Sequence, residues 1–288
     1  MMAQIDALAG ASTPRPATNA PARASAKAAV APRKLAAGGL ARKLLVPACQ
    51  VLLVGGLFAL WEIAIRQQWL AVYSYGQPSG IWREFLASAG SGALLRDTWV
   101  TAQEAILGFL IGSILGSVAG LALWMSPTIA AILRPIMVAL NGLPKIALAP
   151  LIIVWFGIGM ESKIAIAASI TFIVSLLTSF SGSQEVDHDY VRMLKAIGAS
   201  RWQIFRMVIV PGSLPWISSA LRLNVGFAMI GAVVGEYISA EAGLGYHVYY
   251  AGTLYNLNGV WVGIFALMVL ALVLDTLVGW VERRLGRH

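Results

Sequence analysis

Apolar residues run along the chain in six long blocks, at 44–66, 99–124, 132–158, 163–182, 213–238 and 259–281. A bilayer crossing takes about 20 mostly apolar residues, so each block is long enough to span. The pattern predicts an all-α integral membrane protein with six transmembrane helices. The third block carries Pro135, Pro144 and Pro150. Proline removes a backbone donor and clashes with the preceding turn, so this span is expected to be broken or kinked. Irregular backbone at membrane depth persists only where protein or a cavity covers it. Residues 1–43 are rich in Ala, Pro, Ser, Arg and Lys without apolar periodicity, and read as a disordered basic tail. They lack the apolar core and small-residue cleavage site of a signal peptide. The remainder, 44–288, is expected to form the membrane domain.

Composition agrees. Apolar residues make up 58% and charged residues 12% of the 288 positions, with a mean hydropathy of +0.76. Soluble domains carry about 45–50% apolar and about 25% charged residues. A single cysteine, Cys49, excludes a disulfide framework and a cysteine zinc site. Three histidines, His188, His247 and His288, make a histidine-rich metal site a poor expectation. The net charge of +8 sorts by topology. With the N-terminus inside, only Arg66, Arg83, Arg96 and Lys163 fall outside, and Lys145 and Arg222 fall within spans. The excess of inner Lys and Arg puts both termini in the cytoplasm.

Three segments carry more than hydropathy. Gly108, Gly112, Gly116 and Gly120 recur every four residues in the second span and form one helix face. Such a ridge lets another helix backbone approach closely; a pore-lining role is the lesser alternative.

The second segment is the inner loop 183–211. Asp187 is placed to cap a helix over 189–197, with Tyr190, Met193, Leu194 and Ile197 on one face and Arg192 and Lys195 elsewhere. Gly198 fits a helix stop. Ser200 and Gln203 then form a capping box for a second helix, which Pro211 is expected to end. Glu185, Asp187, His188 and Asp189 read as a solvated helix start rather than metal ligands. From the residues alone, the apolar stripe fits either a lipid interface or a groove on a cytoplasmic partner.

The third segment, the outer loop 237–258, holds Tyr237, Tyr246, Tyr249, Tyr250 and Tyr255, with Gly243 and Gly245 supplying a turn. An interfacial aromatic belt is its plain reading.

The run Ala196-Ile197-Gly198-Ala199-Ser200-Arg201-Trp202, with Pro211 after it, resembles the cytoplasmic EAA loop of bacterial ABC importer permeases. Three stretches resemble more closely the nitrate/sulfonate/taurine/bicarbonate permease group. They are Leu143-Pro144 with Leu148-Ala149-Pro150-Leu151 and Trp155-Phe156-Gly157-Ile158-Gly159; Val210-Pro211-Gly212-Ser213-Leu214-Pro215; and Gly235-Glu236 with Gly243-Leu244-Gly245-Tyr246. The likeness covers roughly residues 80–285. Departures are Arg192, Met193 and Leu194 at the Glu-Ala-Ala positions and Lys145 where a second proline is common.

The resemblance implies a type I importer (MetI-like) permease fold with a cytoplasmic coupling helix, in the bacterial inner membrane. It implies a permease homodimer on two ATPase subunits, fed by an external binding protein, importing a small, anionic solute. ATP and Mg would sit on the ATPase, with no cofactor on this chain. This agrees with the absence of a G-x-x-x-x-G-K-[ST] phosphate loop from the sequence. The implied ATPase-coupling residues are Asp189, Tyr190, Arg192, Met193, Leu194, Lys195, Ile197, Gly198 and Arg201. The implied pathway residues are Asn141, Lys145, Arg222 and Glu236. The outer loop would be re-entrant, touching the binding protein or the leaving solute.

Charges at membrane depth usually face a bundle interior. Glu62, Glu104 and Asp275 lie near span ends, where snorkelling or pairing is expected. Lys145 and Arg222 are either anion-attracting or paired structurally, with Glu62 or Asp275 as partners. An ion-coupled transporter or channel remains the rival class, but the halves show no convincing inverted repeat. A membrane enzyme would need a catalytic cluster that the chain does not offer.

Overall fold

The computed structural model describes residues 36–285, and among these every regular element is helical. Of the tail expected over 1–43, residues 1–35 lie outside the described residues and 36–43 are helical rather than disordered. Helix α1 (Ala36–Arg66) begins ahead of the expected span start at 44. The chain divides into two units, 1–53 and 54–288, and α1 begins in the first and ends in the second.

The second unit continues with α2 (Val72–Tyr75), α3 (Pro78–Gly90), α4 (Ala93–Leu123), α5 (Pro127–Gly142), α6 (Ala149–Phe156) and α7 (Met160–Gln184). Then come α8 (His188–Ala196), α9 (Arg201–Ile204), α10 (Val210–Ser239), α11 (Leu244–Thr253) and α12 (Leu257–Leu285). Among the described residues, five helices are long and apolar enough to cross a membrane. A bent pair, α5 and the segment Lys145–Phe156, meets at 93° and makes a sixth where it is counted as one broken crossing. The break falls at Leu143 and Pro144, both extended, where Pro144 donates no amide and a short 3-10 turn (Lys145–Leu148) restarts the helix.

Helix α7 is the axis of the unit, flanked by α4 and α10. Each ridge glycine of α4 lies on the α7 backbone. A Cβ at Gly108 would overlap Ala167, one at Gly112 Thr171, and those at Gly116 and Gly120 the carbonyls of Phe172 and Leu176. On the other side, Gly231 and Gly235 of α10 meet Ala167 and Lys163. The α7 face is itself a four-residue ladder of Ala167, Thr171, Ser175 and Ser179, all buried. Lipid tails are as apolar as leucine, so close backbone contact is what favours such an interface. Hydrogen bonds add to it: Thr171 Oγ1 lies 3.1 Å from the Gly108 carbonyl, and Asn224 Nδ2 donates to Ser113, Ser175 and the Thr171 carbonyl.

Pro211 does not end the second loop helix. From Arg201 the chain stays helical to Ser239 as one long crossing. The five-residue π-turn Phe205–Ile209 precedes α10, with the Val210 amide bonded to the Phe205 carbonyl. Pro211 then sits in the first turn of α10, where its missing donor costs little.

Candidate functional site

At one end of the bundle lies the 183–211 loop. The Asp187 carboxylate accepts from the Asp189 amide at 2.8 Å, which starts α8 and leaves Asp187 acting as a cap. Gly198 turns the chain at φ +84°, a conformation that side chains disfavour. Ser200 and Gln203 form the capping box that starts α9. Helix α8 ends at Ala196, one residue short of expectation, with Ile197 at its C-cap.

Tyr190, Met193 and Ile197 are 59%, 59% and 74% exposed. Leu194 is half-buried behind them, so the free stripe is narrower than the spacing implied. Arg192 pairs with Asp189 at 3.6 Å across an exposed surface, an arrangement worth little. Val191, Lys195 and Arg201 line a cavity of about 340 Å³ shared with α5 and α7. The Arg201 guanidinium sits over the Trp124 ring at 5.6 Å.

The opposite end holds a polar cluster whose connections the sequence did not suggest. Glu236 is fully buried on α10. Its Oε1 accepts from Thr101 at 2.6 Å and its Oε2 from the Gly245 amide at 2.6 Å. The Leu244 amide donates to Thr101 Oγ1 at 2.8 Å and the Gly243 amide to Asp97 at 3.2 Å. Three successive amides at the start of α11 are therefore capped by side chains of α4 and α10. Acidic groups are favoured there by the unpaired amides and the helix dipole.

Gly243 and Gly245 are required by this approach, since a Cβ on either would strike the Glu236 carboxylate. Glu104, 2% exposed, lies against Glu236. Lys163, also buried, donates to the carbonyls of Ile158, Gly159 and Ser239.

Glu236 closes the α11 N-terminus. Arg222 takes the structural alternative left open for it, with another partner: its Nε meets Glu282 Oε2 at 2.5 Å. The expected partners were Glu62 and Asp275, yet Glu62 instead receives Arg66, Gln77 and the Ser79 amide. Pairing across α10 and α12 depends on how their axes cross, which spacing along one helix does not reveal. Lys163, counted as an outer-loop cation, and Glu104, expected to snorkel, are both interior. Lys145 and Asn141 lie at the α5–α6 break, where Lys145 Nζ is 3.3 Å from the Asn141 carbonyl. Among the described residues no carboxylate pairs with Lys145. The outer loop forms a helix, α11, on which Tyr246 and Tyr250 stack with centroids 5.8 Å apart.

A multi-pass helical bundle with a broken crossing and a capped loop helix has the build of a membrane transport subunit. The chain belongs to the binding-protein-dependent transport system inner membrane component family, whose model matches residues 108–287. It is 31% identical to the riboflavin transport system permease protein RibX of Chloroflexus aurantiacus, over 80% of this chain and 86% of that protein. It is 30% identical to the taurine transport system permease protein TauC of Escherichia coli, over 80% of this chain and 85% of that protein. The inward-facing MetNI methionine ABC transporter shares its fold, with a TM-score of 0.60 at 20% identity, covering 69% of this chain and 99% of that one. The chain is thus a membrane-spanning permease of the ABC importer class, with a transport rather than a catalytic role.

Proposed function

We propose that this permease works as a pair of copies on two ATPase subunits, with the α8 loop and both termini in the cytoplasm and a binding protein delivering solute outside. The exposed stripe of Tyr190, Met193 and Ile197 on a doubly capped helix carries this reading. A rigid helix with apolar anchors at i, i+3 and i+7 suits a groove on a soluble partner. Arg192, Lys195 and Arg201 flank the stripe with positive charge. ATP and Mg belong to the ATPase.

The solute is a small anion in this proposal. Lys145 supports it, being a cation beside irregular backbone at the break of a crossing, where charge is rarely kept without a purpose. A relative named for taurine transport points to a solute bearing an anionic sulfonate-type group, whereas one named for riboflavin shows that the family alone does not set the solute. Arg222 and Glu236 hold partners within the chain, so this proposal rests the pathway on Asn141 and Lys145.

The test is co-purification with the cognate ATPase. Ile197→Asp is expected to abolish ATPase retention and transport while the protein still inserts. Unchanged retention would mean that the stripe rests on lipid.

A further inference from the structure

Lys163 bridges the turn between α6 and α7 and the end of α10. Its ammonium takes the carbonyls of Ile158 and Gly159, which form the turn between α6 and α7. It also takes the carbonyl of Ser239, the last residue of α10. One helical turn back, Glu236 holds the start of α11 through Gly245, and Thr101 and Asp97 hold Leu244 and Gly243. Gly235 lies directly on the Lys163 side-chain stem, so the contact has no slack.

Buried hydrogen bonds of this kind are costly to break, because each leaves a polar group without a partner away from water. Each element is half-buried: α6 packs Ala149 and Ile152 against α7, and α11 packs Leu244 and Val248 into the bundle, while their other faces are open. Helix α6 is eight residues long and leaves Val154, Trp155 and Phe156 exposed, and α11 leaves Tyr249 and Tyr250 exposed.

We propose that Lys163 and Glu236 are positioning residues that act through the end of α10 to hold the α6–α7 turn and the start of α11 together on the scaffold, so that loosening one loosens the other. Nothing in this depends on the identity of the solute or on how the ATPase docks. Coupling through a shared charged cluster is reciprocal: loosening either element must loosen the other.

Cysteine accessibility tests it. In a Cys49→Ser background, single reporters Val248→Cys on α11 and Ile152→Cys on α6 are placed at positions that are both 6% exposed. Ile209→Cys, buried at the far end, serves as control. Purified full-length protein is labelled with a soluble maleimide.

Lys163→Met and Glu236→Gln are each expected to raise labelling at both reporters at least threefold and to leave residue 209 protected. Glu62→Ala, which breaks a separate polar contact between α1 and α3, is expected to change neither reporter. If Lys163→Met exposes only 152 and Glu236→Gln only 248, or if neither variant exposes any reporter, the linkage is wrong. Should either variant expose residue 209, Thr101→Val, which removes one hydroxyl at nearly constant shape, is read by the same criteria. Exposure of 209 in all three variants would overturn the proposal too, since the cluster would then hold the whole bundle rather than join two elements.

Discussion

Helix α7 and helix α6 follow one another in the chain and differ in almost every physical respect. The α7 face toward α4 and α10 is built from Ala167, Thr171, Ser175 and Ser179, set against glycines, so the backbones touch. The α6 segment carries Leu151, Val154, Trp155 and Phe156, large side chains that remain exposed in the single chain. Small residues close an interface by themselves. Large apolar residues on a short, sharply bent element need cover from lipid or from a second copy. The contrast separates a scaffold, α4–α7–α10, from elements placed to move or to be met.

The largest expected effect breaks the scaffold. Gly112→Leu and Gly116→Leu force side chains into the α7 backbone, and each should cost more than the about 1–3 kcal/mol typical of overpacking. Folded, monodisperse protein on size-exclusion chromatography should fall sharply for both. Normal yield would mean that the helices part without penalty and that the contrast with α6 is overstated.

Next comes the surface meant to be met. Met193→Asp should leave yield and thermal stability near normal, because the residue is exposed, yet remove most ATP-driven uptake in vesicles holding the complete transporter. A loss of folded protein instead would place Met193 in the scaffold class.

At the broken crossing, Lys145→Met should lower uptake of an anionic solute several-fold with little change in yield. Full uptake of an established anion would remove Lys145 from the pathway.

A smaller effect is expected within the scaffold at Asn224→Leu. Interhelical hydrogen bonds in membranes are worth about 0.6 kcal/mol on average and at most about 1.7. The variant should lower the unfolding midpoint modestly, and a shift matching that of Gly112→Leu would show that polar contacts rather than close packing hold α7.

Smallest of all is Arg222→Gln. Its pair with Glu282 is more than half exposed on the arginine side, so neither yield nor uptake should change measurably. A clear fall in uptake at normal yield would return Arg222 to the pathway.

Much of the fold was legible along the chain. The apolar blocks, the proline-broken third crossing, the caps at Asp187 and Ser200, the stop at Gly198 and the glycine spacing all depend on near neighbours. Periodicity and capping are short-range physics, readable from a dozen residues at a time. Boundaries shifted where longer contacts took over: the π-turn before Pro211 carried a helix through an expected end, and α11 formed where a loop was expected.

The polar cluster was not legible as a cluster. Asp97, Thr101, Glu104, Lys163, Glu236 and Gly243 lie on four helices and approach one another only after those helices pack. Glu104 and Lys163 looked like end-of-span charges, since hydropathy shows how near a residue is to the end of a span but not which way it faces. The spacing of Gly235-Glu236 and Gly243-Leu244-Gly245 was the one available signal, and it pointed to a motif without saying that the glycines make room for the carboxylate. Arg222 shows the same limit from the other side: its charge was evident, and its partner depended on the crossing of α10 and α12. Hydropathy and capping along the chain determined an all-helical membrane protein with a capped loop helix, because burial in lipid and helix capping act locally, and the motifs added the likeness to importer permeases. Which charges meet, and therefore which serve as struts and which remain free, was decided only by tertiary packing, because Coulomb and hydrogen-bond energies depend on distances between helices that no one-dimensional pattern contains.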